Sequence, residues 1–580
     1  MILKYLRPKQ WALVFLCGLF IVFQVYLDLR IPEYMNAMTD AILNDRIGDV
    51  MGEYGMKMAL CALLSLGASL VSGFIAAYVT SQLCRELRIR QFEKVQTFSS
   101  EDVGDISIAS LITRSTSDVY QIQVYVARGL QIFIKAPILA TWAIIKIAGR
   151  NWQWSAATVV TVVVISLVVM FIIRRSRVYF ENIQWLTDGI NGATGESIEG
   201  VRTIRAYNAE EYQFAKLEKA NEKLIHNNLE SLKYTSAMYP FTSAMQNLLT
   251  LSIYWIGAGL ISSAPDHAEQ LILFSDMIVF TSYALQVVSA FLMVSGMMRI
   301  LPRTSVASKR IQEVIERTPS IEDGDVTESS PDHEGEISMR DVSFTYPGSK
   351  RPAVSDISLD VKKGQTLAII GSTGSGKTTL LRLICRLYDT DEGVVSVSGH
   401  DVRDYRQRDL HNMFGYVPQS AVIFSGSVRY NVNYGADSDE RTDDEIWNAL
   451  RIAQSEGFVR NMDGGLDARI SQHGRNISGG QKQRIGIARA ICKDPLIYIF
   501  DDSFSALDFR TDMALRSALK EWTKDATVVI VAQRVGTIMD ADCIIVMDEG
   551  RIVGKGTHDE LMKSCASYNS IATAQFSEVH

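Results

Sequence analysis

Six long apolar stretches near the start of the chain constrain its fold more than any other feature. Each is long enough for a helix to cross a bilayer, which takes ~20 apolar residues. In lipid such a helix satisfies its backbone hydrogen bonds within its own segment. The sequence therefore predicts an all-α polytopic membrane domain with six transmembrane helices, at 11–31, 56–78, 124–148, 155–173, 239–262 and 271–301.

The distribution of basic residues sets the orientation of these spans. Lys4, Arg7 and Lys9 precede the first span, and further basic clusters at 85–94 and 174–177 follow the second and fourth spans. Under the positive-inside rule, the N-terminus, both long inner loops and the C-terminal region lie in the cytosol. The first span is too long and too weakly bounded for a signal peptide. We predict a multi-pass protein of the cell (plasma) membrane.

Two inner loops, 85–118 and 174–233, are too long for ordinary connections and keep a helical pattern. We expect transmembrane helices that continue into the cytosol, with breaks at 99–104 and 205–208 suited to short transverse helices. The alternative is a pair of solvated amphipathic hairpins with no contact role.

Composition divides the 580 residues into a membrane domain at 1–319, an acidic linker at 320–335 and an α/β domain at 336–580. The linker is rich in Gly, Ser and Pro and lacks apolar periodicity. A net charge of −7, without a basic patch carrying interleaved aromatics, argues against a nucleic-acid partner. The seven cysteines are scattered, which indicates small apolar residues rather than metal ligands.

A glycine-rich loop, GSTGSGKTT, lies between the apolar strand 367–370 and a helical segment. This strand–loop–helix context is the one a phosphate-binding loop requires. Its glycines let backbone N–H groups approach phosphates, and the helix N-terminus adds positive potential. We expect Lys377 to reach the β- and γ-phosphates and the Thr378 hydroxyl to bind Mg²⁺. The predicted nucleotide residues of the loop are Gly371, Ser372, Thr373, Gly374, Ser375, Gly376, Lys377, Thr378 and Thr379.

Two further apolar strands end in residues suited to nucleotide hydrolysis. Asp501, after strand 496–500, is placed to hold Mg²⁺ through water. The next residue should polarise the attacking water, but Asp502 is one methylene shorter than glutamate, about 1.5 Å. A misplacement of that size can cost about 10²-fold in rate. Gln533, after strand 528–531, cannot carry charge or relay a proton as histidine can.

A second glycine-rich segment, ISGGQ, opens a helix at 477–481. Ser478 is its predicted N-cap, and Gly479, Gly480 and Gln481 expose N–H groups at a positive helix end. The segment is therefore a candidate anion site, with an ordinary glycine-rich helix start as the alternative.

From residue 1 to about 574, these features resemble a half-transporter of the ATP-binding cassette (ABC) superfamily, of the exporter type. The resemblance implies a fold of six spans followed by an α/β P-loop nucleotide-binding domain, with ATP and Mg²⁺ as cofactors and ATP hydrolysis coupled to transport. It also assigns Tyr346 to adenine stacking, Gln419 to the Q-loop that contacts Mg²⁺ and the attacking water, Ser478–Gln481 to the signature, and Asp508 to the D-loop.

In that family two cassettes enclose two ATP molecules, each between the Walker motifs of one cassette and the signature of the other. The changes at Asp502 and Gln533 then fall in this chain's own site, whereas its intact signature would complete a site on a partner. The resemblance implies the degenerate-site subunit of a heterodimeric multidrug-type exporter. The partner half-transporter should carry the usual glutamate and switch histidine.

Polar and adaptable side chains within the predicted spans suggest a lateral cavity for small amphipathic substrates in the lipid bilayer. Interhelical hydrogen bonding is the alternative, and for Lys135 it is the favoured one. The candidate cavity residues are Gln24, Asp28, Gln246, Gln286 and Met293.

Other functions remain open on the same fold. A dedicated peptide, lipid or siderophore transporter is one, and a nucleotide-gated regulatory membrane protein is another. The intact signature, useful only to a partner's site, argues against the regulator.

Overall fold

A computed structural model describes residues 2–43, 48–435 and 441–577. Its internal contacts divide the chain into two compact units. The helical unit comprises Met1–Gln96 and Ile108–Arg317, and the α/β unit comprises Thr97–Ser107 and Thr318–His580.

The first half of the chain is helical and, except for α3, belongs to the helical unit. Its helices are α1 (Pro8–Leu43), α2 (Gly48–Val95), α3 (Ser100–Ile106), α4 (Ile108–Ser115), α5 (Ser117–Ile147), α6 (Trp152–Glu199), α7 (Val201–Ala206), α8 (Glu210–Ser236), α9 (Met238–Ser263) and α10 (His267–Glu316).

The prediction of six spans is confirmed. Among the described residues, six helical stretches are long and apolar enough to cross a membrane. Trp154, Phe280 and Tyr283 are nearly fully buried at the centre of the unit. The Tyr283 hydroxyl donates to the carbonyl of Leu29 at 3.0 Å, which ties α10 to α1. The six stretches are Pro8–Ile42, Met51–Val95, Ile108–Ile147, Trp152–Ser176, Glu210–Ser263 and His267–Glu316.

Several of these helices are much longer than a bilayer is thick. Helices α2 and α6 each have 48 residues, or ~70 Å at 1.5 Å per residue, against a hydrocarbon core of ~30 Å. Short helices follow both: α3 begins inside the break predicted at 99–104, and α7 ends where the chain turns at Tyr207 and Asn208.

Helix α3 is joined to the segment predicted as a linker. Asp102 is 1% exposed, and its Oδ2 accepts from the backbone N–H and the hydroxyl of Ser320 at 3.0 and 3.2 Å. Further along, the N–H of Val326 donates to the carbonyl of Asp404 at 2.9 Å. This acidic segment therefore lies against the α/β unit instead of running free.

The α/β unit contains two main sheets. One has the order β2-β1-β4-β5 and is antiparallel, and the other has the order β12-β11-β3-β10-β9-β6 and is parallel except for β12. The strands are β1 (Ile337–Phe344), β2 (Val354–Val361), β3 (Thr366–Gly371), β4 (Glu392–Val397), β5 (His400–Asp401), β6 (Phe414–Val417), β7 (Gly426–Ser427), β8 (Arg469–Ile470), β9 (Ile497–Asp501), β10 (Thr527–Val531), β11 (Cys543–Asp548) and β12 (Arg551–Gly556).

Helices pack on the parallel sheet, as a sheet buried on both faces requires. Strand β9 is buried along its whole length, in agreement with its apolar sequence. The helices are α11 (Lys377–Ile384), α12 (Gln407–Asn412), α13 (Val428–Val432), α14 (Asp443–Ile452), α15 (Glu456–Arg460), α16 (Gly479–Lys493), α17 (Phe509–Trp522), α18 (Val535–Ile538), α19 (His558–Ser564) and α20 (Ala566–Ser577).

Candidate nucleotide site

Four neighbouring parallel strands bring the predicted nucleotide residues to one edge of the sheet. Across this edge the order is β3, β10, β9, β6. Strand β3 leads into the phosphate loop, β9 ends at Asp501, β10 precedes Gln533 and β6 precedes Gln419. Ligands of open α/β sheets bind outside the carboxyl ends of the strands. The topology therefore gathers residues that are far apart in the sequence.

The phosphate loop holds its lysine over its own backbone. Lys377 Nζ donates to the carbonyls of Gly371 and Ser372 at 2.9 and 2.7 Å. Gly376, which precedes α11, has φ 98°, and a Cβ there would lie 2.6 Å from the carbonyl oxygen of Ala353, so the position requires glycine. Burial lowers the pKa of Lys377. Phosphate oxygens would give this ammonium better partners than two carbonyls.

Thr378 and Asp501 form a pair suited to Mg²⁺. The Thr378 hydroxyl donates to Asp501 Oδ1 at 3.1 Å, and burial raises the pKa of Asp501. No group of three or more His, Cys, Asp or Glu residues among those described could hold a metal alone. Mg²⁺ needs few protein ligands, because it keeps waters and binds substrate phosphates. A hydroxyl and a carboxylate side by side fit an ion held jointly with a nucleotide. The Gln419 amide, also predicted to contact the metal, donates to Asp502 at 3.2 Å.

Asp502 lies at the centre of a closed hydrogen-bond network. Its Oδ2 accepts from Gln533 Nε2 at 2.8 Å and from Gln419 Nε2 at 3.2 Å. Its φ of 48° is in the left-handed region, which aspartate tolerates better than most residues. Burial raises the pKa of Asp502, and the two amide donors oppose this rise without cancelling it. Asp502 and Gln533, the two altered positions, are thus hydrogen-bonded to each other.

The aromatic residue predicted to stack on adenine is held firmly in place. The Tyr346 hydroxyl shares a hydrogen bond of 3.2 Å with Thr379 Oγ1 and accepts from Arg382 Nη1 at 3.0 Å. The edges of Phe344 and Tyr388 meet its ring at centroid distances of 5.0 and 5.3 Å. The sequence did not predict a role for Arg382. The one feature that could have indicated it is its position one helical turn after Thr378.

The second glycine-rich segment forms the start of α16. Ser478 Oγ accepts from the N–H of Gln481 at 3.3 Å, and Gln481 Oε1 accepts from the N–H of Ser478 at 2.8 Å. Nothing lies within 4 Å of a Cβ placed on Gly479, so this helix end is open. Asp508 caps α17 by accepting from the N–H of Thr511 at 3.0 Å. In the described part of the chain, no hydrogen bond joins residues 478–481 to the phosphate loop.

Gln575, from the last helix, supports the segment that carries Gln533. Its Nε2 donates to the carbonyl of Gln533 at 2.7 Å, and its Oε1 accepts from the N–H of Val535 at 2.8 Å. The sequence contains no signal for this contact, because it joins residues 42 positions apart through tertiary folding.

Of the predicted substrate residues, Asp28 has partners inside the helical unit. Its Oδ1 accepts from the Ser65 hydroxyl at 2.5 Å, and Lys135 Nζ lies 3.4 Å from its Oδ2. These contacts join α1, α2 and α5. They favour interhelical hydrogen bonding for Asp28 and Lys135 over a direct role in substrate binding.

The other predicted substrate residues are dispersed. Gln24 is buried in α1, Gln246 is half-buried in α9, and Gln286 is half-buried in α10 with an Oε1 that has no partner among the described residues. Met293 lines a cavity of ≈ 540 Å³ between α5, the end of α8 and α10.

Comparison with known proteins agrees with this geometry. A family model described as the ABC transporter transmembrane region matches residues 14–291, and a model described as ABC transporter matches residues 354–505. An ABC transporter ATP-binding protein of Mycobacterium tuberculosis is 38% identical over 535 residues, 91% of this chain and 89% of that protein.

An ATP-dependent lipid A-core flippase of Vibrio cholerae is 28% identical over 560 residues, 94% of this chain and 93% of that protein. The solved structure of a bacterial Atm1-family ABC exporter with ATP bound superposes with a TM-score of 0.85 at 22% identity, covering 97% and 98% of the two chains. The chain belongs to the ABC transporters, with an exporter fold, a multi-pass membrane domain and a cytosolic ATP-binding domain.

Proposed function

We propose that this chain is one subunit of an ATP-driven exporter of amphipathic compounds, of the multidrug type. It binds ATP with Mg²⁺ at its own Walker site, which hydrolyses slowly. The start of its α16 completes a second, competent site on a different half-transporter.

One observation carries the proposal: a single carboxylate oxygen of Asp502 accepts from both Gln419 and Gln533. A water-polarising base must direct a lone pair at the attacking water. Here one of the two carboxylate oxygens of the shorter side chain is directed at two amides instead. Gln533 also cannot supply the charge or the proton relay of a histidine.

The open helix start at Ser478–Gln481 supports the second half of the proposal. Its N–H groups and positive helix end can receive a phosphate. A sandwich of two copies of this chain would contain two slow sites and no fast one. A partner with an unaltered site gives the intact signature a purpose, and it explains why the binding residues Lys377 and Thr378 are kept.

The cargo is proposed to be amphipathic because the spans combine long apolar stretches with polar groups such as Gln24 and Gln286. The Vibrio relatives are described as ATP-dependent lipid A-core flippases, which names a lipid as their cargo. That activity supports the cargo class proposed here without identifying the molecule.

The test compares two substitutions in the purified complex with a co-expressed candidate partner, beginning with any half-transporter that a neighbouring gene encodes. Replacing the partner's catalytic glutamate by glutamine should lower ATP turnover by about 10²-fold or more, since positioned groups in such sites carry that much. Asp502→Asn in this chain should leave turnover within about threefold of the parent.

The control is this chain alone in nanodiscs, which should hydrolyse ATP slowly. Equal losses of ATP turnover from the two substitutions would contradict the proposal that one site is slow and the other is competent. Rapid turnover by the chain alone would show that two copies of it form a complete ATPase.

A further inference from the structure

The cavity that Met293 lines also contains a charged residue, Arg128. Arg128 and Ile132 lie one turn apart on α5, and Thr235 lies at the end of α8. Among the described lining residues, Arg128 is the one that is charged. The lining consists of Arg128, Ile132, Thr235, Leu292, Met293, Gly296, Met297 and Ile300.

Arg128 is exposed and has no hydrogen bond or ion pair with any residue that the structure describes. It is about one helical turn inside the third predicted span, at its cytosolic end. Ile300 also lines the cavity and lies near the cytosolic end of the sixth predicted span. A charged side chain at such a depth is rare and usually pairs or faces a functional cavity. By contrast, Lys135, two turns further along this helix, is half-buried and paired with Asp28.

The remaining walls suit an alkyl chain. Leu292, Met293 and Ile300 contribute apolar surface from α10, and methionine adapts its shape to different ligands. The Thr235 hydroxyl is already bonded to the carbonyl of Ser231 at 3.1 Å, so it adds little polarity. A volume of ≈ 540 Å³ is within the range of small-molecule sites.

We propose that this cavity binds an anionic amphiphile, with a phosphate-type headgroup on Arg128 and an alkyl chain along Met293 and Leu292. A guanidinium recognises phosphate through parallel N–H···O bonds. The predicted bounds of the third span put Arg128 near its cytosolic end, close to the level of the inner-leaflet headgroups. The inference gives a substrate class to the proposed exporter and rests on that function for its purpose, while binding itself needs neither ATP nor a partner.

The experiment is native mass spectrometry of the purified full chain without nucleotide, titrated with lysophosphatidic acid and with lysophosphatidylcholine of the same chain length. The parent should prefer the anionic lysolipid. Arg128→Gln should weaken its binding about ten- to hundredfold, the usual range for losing a charge-assisted hydrogen bond, and leave the zwitterionic lysolipid unchanged. Arg128→Lys should retain part of the preference, which shows that the site still folds.

Two further variants separate the cavity from general surface charge. Lys9→Gln removes an exposed cation at the cytosolic end of the first span and should keep the preference. Gly296→Leu fills the cavity, because nothing lies within 4 Å of a Cβ at Gly296, and it should weaken both lysolipids. Inorganic phosphate in excess should not displace the lysolipid.

An anionic preference that survives in Arg128→Gln, or that Lys9→Gln abolishes equally, would overturn the proposal. Unchanged binding in Gly296→Leu would also overturn it, and full displacement by inorganic phosphate would reduce the site to an anion site without a place for the chain. A failure of the proposed heterodimer would appear in ATP turnover and leave these binding constants unaffected.

Discussion

Two regions of the α/β unit that we propose contact nucleotide use their polar groups in opposite ways. At the Walker site, Asp502 is bonded by Gln419 and Gln533, and Lys377 is bonded by the loop's own carbonyls. At the start of α16, the side chains of Ser478 and Gln481 each accept from the other residue's backbone N–H, and the space at Gly479 is open. The first region is closed on itself, whereas the second is available to a ligand from another chain. The difference suggests that binding and hydrolysis are separated within this protein.

The largest expected effect comes from closing the open region. Gly479→Asp places a carboxylate where a phosphate would bind, and we expect ATP turnover of the complex to fall about 10²-fold or more. The fold should survive, because there is room for the side chain and an acid in the first helical turn is favourable. Turnover of the purified complex measures the effect.

Gly457→Asp is the matched control, since Gly457 lies in α15 of the same unit and also has nothing within 4 Å of its Cβ position. The two regions would not differ in role if Gly479→Asp turned over ATP at the parent rate.

The second expected effect concerns nucleotide binding at the Walker site. Lys377→Gln should weaken binding of a non-hydrolysable ATP analogue about ten- to hundredfold, because a charge-assisted bond to phosphate is lost. Titration of the purified chain checks this, with the exposed Lys350→Gln as control. Unaltered analogue affinity would mean that the closed site does not bind nucleotide.

The fold was predictable because its signals are local. The apolar length of six stretches and the strand–loop–helix context of Gly371–Thr379 each depend on neighbouring residues, and the structure confirms the fold that they predict. The site is partly predictable for the same reason, since strands β3, β9 and β10 carry their functional residues at their ends. The sequence shows Asp502 and Gln533 as two separate departures from the usual glutamate and histidine. The structure shows that their side chains are in contact.

Other features arise from packing between distant segments and have no local signal. Gln575 reaches Gln533 from the last helix, and Arg382 reaches the Tyr346 hydroxyl across the nucleotide edge. In the spans, Asp28 and Lys135 were separate polar residues in the sequence and form one ion pair in the structure. Arg128 is a single basic residue near the start of the third predicted span, and its cavity depends on α10.

A smaller effect concerns the support of the closed region. Gln575→Ala removes two partly exposed hydrogen bonds and should lower the free energy of unfolding by about 1 kcal/mol. Chemical denaturation of the purified chain measures it. Gln575→Glu keeps the acceptor for the Val535 N–H and loses the donor to the Gln533 carbonyl. If both variants matched the parent, the last helix would not support the switch segment.

The smallest effect tests whether the ionised form of Asp502 destabilises the folded protein. Burial raises the pKa of Asp502, so the folded protein binds this proton more tightly than the unfolded chain does. The stabilisation from protonation is therefore fully present below the unfolded pKa of about 3.9 and is lost as pH rises through the folded pKa.

At about pH 8, Asp502→Asn should unfold at a higher temperature than the parent, since its amide oxygen still accepts from Gln419 and Gln533. Near pH 4 the gap should close. The Asp502 charge also raises the pKa of Asp501, so its removal relieves Asp501 as well and acts in the same direction at pH 8. The exposed Asp463→Asn serves as the control. A parent that is more stable than the variant at pH 8 would show that the two amides outweigh burial and hold the carboxylate in its charged form.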